Sequence, residues 1–88
     1  MRPDSLTFLR TLLDTPSPSG FERAGQQVWL SYVRPFADKV WNDAYGNCFA
    51  AIEPAGVKPG AKVMTVALCG HSDEIGLMVN HFDSNGYI

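Results

Sequence analysis

The stretch KVMTVALCGHSDEIG, Lys62 to Gly76, decides how the rest of the chain is read. Val63, Met64, Val66, Ala67 and Leu68 form a nearly unbroken apolar run, the pattern of a central strand buried on both faces. Gly70 interrupts it, and His71-Ser72-Asp73-Glu74 follows just beyond the strand's carboxyl end, the edge where open α/β sheets build their sites. In extended backbone, residues i and i+2 point to the same side, so His71 and Asp73 can stand side by side. Asp73 would then hold the imidazole tautomer through one ring nitrogen while the other faces a cation. Glu74 points the opposite way and is the weaker ligand candidate.

Upstream, Leu6, Leu9 and Leu13, with Phe8 and Leu12 beside them, make one apolar helical stripe over Ser5 to Leu13. Asp4 or Ser5 supplies cap chemistry, and the prolines and glycine of Thr15 to Gly20 stop the helix. A second helix is expected from about Phe21 to Tyr32 or Val33, with Ala24, Val28 and Tyr32 on one face and Pro35 ending it. Short strands are expected at Lys39 to Trp41 and Asn47 to Ile52, joined by a turn at Gly46-Asn47. Pro54 to Gly60 reads as a loop. Downstream, Ile75 to Phe82 reads as a further strand, and Asp83-Ser84-Asn85-Gly86 as a hairpin turn with Asn85-Gly86 at positive φ. Tyr87-Ile88 only begins the second arm, which suggests part of a longer polypeptide. The fold class expected is α/β: two helices, then a small mixed sheet.

Composition narrows the function classes. The chain is 45% hydrophobic and 18% charged, too apolar for disorder. A net charge of -2 with scattered Lys and Arg gives no footprint for nucleic acid. No apolar run approaches the roughly 20 residues needed to span a bilayer, and the N-terminus lacks a signal-peptide pattern, so the expected location is the cytoplasm. Cys48 and Cys69 lie in apolar, strand-like segments and read as two buried thiols of a reducing compartment rather than a bridge.

The site has plainer readings. A His-x-Asp pair arises often by chance, and a metal site needs three or four ligands. His81 sits mid-strand and reads as an ordinary strand residue. Ser72 lies between its would-be partners and faces away from them, and no Gly-x-Ser-x-Gly elbow is present, so a serine hydrolase is disfavoured. Trp29, Trp41 and Tyr45 have no basic neighbours and read as packing residues.

Three stretches in order, TPSPSGFE (Thr15 to Glu22), DAYGN (Asp43 to Asn47) and CGHSDEIGLMVNHFDSNGYI (Cys69 to Ile88), resemble the glutamyl aminopeptidase and tetrahedral aminopeptidase family, some of whose members are labelled endoglucanase. The resemblance implies a two-metal peptidase that removes single N-terminal residues from peptides. In such enzymes two zinc or cobalt ions activate a bridging water while a glutamate serves as general base. It matches His71 to a metal ligand and Asp73 to the catalytic aspartate that orients it. It implies that residues 1–82 are the opening of a three-layer αβα catalytic domain, and that residues 83–88 begin an inserted β-barrel. The bridging aspartate, the general base and the other ligands would lie beyond Ile88, leaving at most one partial metal site here. Homo-oligomers are expected of the complete enzyme, built through other parts of it. The alternative carried alongside is a non-catalytic binding or assembly module.

Overall fold

The computed structural model describes residues 1–88: two helices, one two-stranded hairpin and a long extended C-terminal third. Helix α1 spans Pro3–Leu13. Pro3 sits in the first turn, where its fixed φ suits a helix and its missing N–H costs nothing. The helix thus starts ahead of the expected caps: Arg2 takes the N-cap position without a side-chain bond, and Asp4 lies inside the first turn. Thr7, Thr11 and Thr15 each donate a hydroxyl to the carbonyl four residues back, at 3.1, 3.0 and 2.6 Å.

Helix α2, Arg23–Val33, packs against α1 through aromatic rings. Phe8 stacks on Tyr32 with ring centres 3.7 Å apart, and Phe36 meets the same tyrosine edge-on at 5.7 Å. That stack rotates α1 away from the expected stripe. Ser5, Phe8, Leu9 and Leu12 are half-buried, whereas Leu6 and Leu13 face solvent. On α2 the buried positions are Gly25, Leu30 and Val33, and Ala24 is exposed. Leu30 and Val33 are the only buried hydrophobic residues, at 6% and 7% exposure, so the core is small and centred on α2.

Strands β1, Lys39–Asn42, and β2, Cys48–Ala51, pair antiparallel with Trp41 opposite Phe49. Their rings stack across the ladder at 5.0 Å. Lys39 and Glu53 pair at 2.8 Å beyond the ladder's open end. The loop is a five-residue Asp-x-x-Gly-x turn, not a two-residue Gly46-Asn47 turn. Asp43 Oδ1 accepts from the amides of Tyr45 and Asn47, both at 2.9 Å, and only Gly46 takes positive φ, 89°. The same device recurs at Asp83 to Tyr87. Asp83 Oδ1 accepts from the amides of Asn85 and Tyr87 at 2.9 Å, and Gly86 rather than Asn85 carries the positive φ.

The expected central strand is where the structure departs most from the sequence reading. Lys62 to Cys69 is unpaired, with Leu68 96% exposed and Met64 84% exposed. Ile75 to Phe82 forms no strand either, so the sheet is a two-stranded hairpin and not a mixed sheet. A central strand needs a neighbour on each edge and a layer on each face, and neither the hairpin nor the helices supplies these to residues 62–69. Cys69 is accordingly exposed rather than buried, and both cysteines are free. The accessible surface is 7962 Å², against about 5,100 Å² for a compact protein of this mass. The radius of gyration is 18.3 Å, where a compact chain of this length would give about 12 Å. No helix is long and apolar enough to cross a membrane.

The side-chain bond from Asn47 leads the causes that hold the Asp43 carboxyl below its ordinary value, aided by the turn amides. A depressed folded pKa contributes stability that is whole above the unfolded value, about 3.9, and is lost as pH falls through the folded one. The Trp41–Phe49 ring-current shifts should therefore hold steady down to about pH 4 and collapse below it, and Asp43→Asn should remove that acid step. Gly46→Ala should weaken the hairpin by about 1–2 kcal/mol in amide exchange, since its side chain is forced into the left-handed region.

Candidate functional site

The site begins with a loop of alternating prolines, Thr15-Pro16-Ser17-Pro18-Ser19-Gly20. Pro16 and Pro18 have no N–H and hold φ near the extended range, so Ser17 and Ser19 carry the loop's amide donors two residues apart. Both donors go to Glu74. Ser17 N–H donates to Glu74 Oε1 at 3.0 Å, and Ser19 N–H donates to the Glu74 carbonyl at 3.2 Å. Glu74 returns its own amide to the Ser17 carbonyl at 2.9 Å, completing a parallel bridge between Pro18 and Glu74.

Two glycines allow these approaches. A Cβ on Gly25 of α2 would collide with Ser17 Oγ, and one on Gly76 would stand 2.8 Å from Pro18 Cβ. Ser17 is buried, and its hydroxyl also donates to the Thr15 carbonyl at 3.2 Å.

This clamp sets His71 and Asp73 at the rim of a cavity of about 210 Å³ whose lining includes Leu12, Leu13, Thr15 and Ser17. His71 Nδ1 lies 3.1 Å from Asp73 Oδ1 and 3.1 Å from the Asp73 carbonyl oxygen. Both neighbours are acceptors, so Nδ1 carries the proton and Nε2 presents its lone pair outward. The imidazole is 86% exposed. Asp73 Oδ2 accepts from Ser19 Oγ at 2.6 Å. Bonds from Ser19, then His71, hold the Asp73 carboxyl below its ordinary value.

A histidine oriented by a carboxylate with its far nitrogen free is the donor arrangement of a metal-ligating imidazole. It is one ligand position: no group of three or more His, Cys, Asp or Glu side chains is placed to hold an ion. Glu74 accepts from the Ser17 amide in the proline loop and has no bond to His71, although both line the cavity. Ser72 lines the cavity without bonding to His71 or Asp73, and His81 is exposed and stands apart. Sequence reasoning singled out the Thr15 to Glu22 loop and the His71 to Glu74 segment separately and did not join them. The signal was available in the Pro-x-Pro alternation, which leaves a pair of same-side amides needing an acceptor.

Among the curated proteins the chain is similar to over nearly its whole length are two aminopeptidases. It is 37% identical to lysyl aminopeptidase of Pyrococcus furiosus across 92% of this chain and 22% of that protein. It is 27% identical to the putative aminopeptidase FrvX of Escherichia coli across 96% of this chain and 22% of that protein. The chain therefore spans about a fifth of the length of these relatives. No family model matches it, and no solved structure does.

Glu74→Ala should free the segment around His71 and expose the Ser17 amide to exchange, at a cost of about 1 kcal/mol for the part-buried bond. Gly25→Ala would gain about 1 kcal/mol in an unobstructed helix. Here the Ser17 hydroxyl must rotate away and give up its bond to the Thr15 carbonyl, which should cancel that gain while leaving the Ser17–Glu74 amide contacts in place, as read by nuclear Overhauser effects.

Proposed function

We propose that this chain is the opening part of the catalytic domain of a metal-dependent aminopeptidase of the glutamyl and tetrahedral aminopeptidase family. The observation that supports it most is the His71–Asp73 pair, with one imidazole nitrogen pinned and the other free. It occurs in a chain similar over nine-tenths of its length to proteins named as aminopeptidases. In this reading residues 1–82 belong to a three-layer αβα domain and residues 83–88 lead into an inserted barrel. The substrate is a peptide with a free N-terminus, the complete enzyme works in the cytoplasm as a homo-oligomer, and the ions are zinc or cobalt.

The residues present fit one ligand position of such a centre. His71 would hold an ion through Nε2, and a bound ion would supply Lewis-acid polarisation and an acidified water. Asp73 keeps the proton on Nδ1 and adds negative charge behind the ring, which strengthens the outward lone pair. The Ser17–Glu74 clamp keeps that unit from drifting with the extended segment. Three or four ligands are the rule for such ions, so the 88-residue chain by itself is inactive in this reading.

A second reading, a non-catalytic binding or assembly module, draws on the exposed apolar segment. Ile75 and Leu77 are fully exposed, and unpaired extended chain recruits partners. Self-association or capture of a partner strand by residues 62–82, in a complete gene product without peptidase activity, would favour it.

The test is hydrolysis of aminoacyl-nitroanilides by the complete gene product, with zinc or cobalt and after chelation. We expect chelator-sensitive activity there and none from the 88-residue chain. His71→Ala should abolish it, and Asp73→Asn should lower activity or metal affinity by about 10–100-fold. Full activity in either variant, or activity indifferent to chelation, would overturn the assignment.

A further inference from the structure

The geometry points to Ser19 as a positioning residue: its hydroxyl fixes the Asp73 carboxylate so that Asp73 can hold the His71 ring. Asp73 lies on an extended segment that neither helix nor sheet constrains, and its carboxylate is anchored at both oxygens. Ser19 Oγ donates to Oδ2 at 2.6 Å, and His71 Nδ1 donates to Oδ1 at 3.1 Å. The short bond from a neutral hydroxyl to a carboxylate is the stronger kind of hydrogen bond. Without it, Asp73 would keep only the histidine, whose Nδ1 has the Asp73 carbonyl oxygen as a competing acceptor at the same 3.1 Å. The backbone could then satisfy the ring while the carboxylate swings into water. Ser19 therefore keeps the carboxylate beside the ring as one of the two acceptors that Nδ1 meets, so that a negative charge stands behind the imidazole.

The loop is built to deliver that hydroxyl. Ser19 donates its amide to the Glu74 carbonyl at 3.2 Å, so its backbone is already docked one residue from Asp73. Gly20, at φ 91°, turns the chain away immediately afterwards. The side chain needs only one rotatable bond to reach Oδ2, a small entropic cost for a contact across 54 residues of sequence. The role bears on catalysis only through the peptidase reading on which it rests, whereas the positioning itself needs neither metal nor substrate.

The experiment compares the 88-residue chain with its Ser19→Ala and Ser19→Thr variants by NMR, without metal. Scalar couplings report the Asp73 side-chain rotamer, the His71 Nδ1 proton reports its acceptor, and Ser17–Glu74 nuclear Overhauser effects report the main-chain clamp. We expect one Asp73 rotamer in the parent and in Ser19→Thr. In Ser19→Ala we expect rotamer averaging and loss of the downfield Nδ1 proton signal, with the clamp effects unchanged. A single rotamer and an unshifted Nδ1 proton in Ser19→Ala would overturn the proposal. So would loss of the clamp in Ser19→Ala, which would make the hydroxyl a folding contact, or failure of Ser19→Thr to restore the parent signals. The expected pattern in a chain whose complete gene product shows no peptidase activity would sink the functional reading and leave the role of Ser19 standing.

Discussion

The exchange of hydrogen bonds between the Ser17–Ser19 loop and Glu74 is the constraint on which the rest depends. It ties the C-terminal third to the helical body, and it is small: three bonds through Glu74 and one from Ser19 to Asp73. At about 0.5–1.5 kcal/mol net apiece, they offset the ordering of only a few residues, since each fixed backbone costs about 1–2 kcal/mol. That balance matches what is seen. The clamp's bonds reach only Glu74 and Asp73, and the residues around them remain exposed.

The clamp works because of what the sequence leaves out as much as what it contains. Prolines at 16 and 18 remove amides that would otherwise need partners and stiffen the segment before it docks. Glycine at 25 lets the buried Ser17 sit against α2, and glycine at 76 lets Pro18 sit against the docked segment. A side chain at 76 would press on the rigid Pro18 ring, and one at 25 would force the Ser17 hydroxyl to rotate away. The site is thus a property of close backbone approach, set before the chemistry of His71 enters.

The local elements were legible in the sequence, and the long-range ones were not. Helical spacing placed α1 and α2 to within about two residues, and composition placed both turns, although the Asp43 and Asp83 side chains that build them and the lone positive-φ glycine of each were not read from it. The face that α1 buries was misjudged because Tyr32 draws Phe8 across it, a tertiary choice that spacing alone does not encode. The same-side placement of His71 and Asp73 followed from extended geometry and is found at 3.1 Å. Ser19 escaped notice because its partner lies 54 residues away. The apolar run at Lys62 to Cys69 carries a strong strand signal, yet strand formation is a bargain between neighbours, and no neighbour among these 88 residues meets it.

Site and sheet have the same unmet need. In the peptidase reading His71 would offer one ligand where an ion takes three or four, and residues 62–69 offer one extended segment where a central strand takes two flanking ones. Both deficits fall on the same extended segment, nine residues or fewer apart in sequence between Lys62 and His71. The Ser17–Glu74 bonds hold the backbone of this segment three residues from His71, so the place of the ring is set by contacts already within the chain.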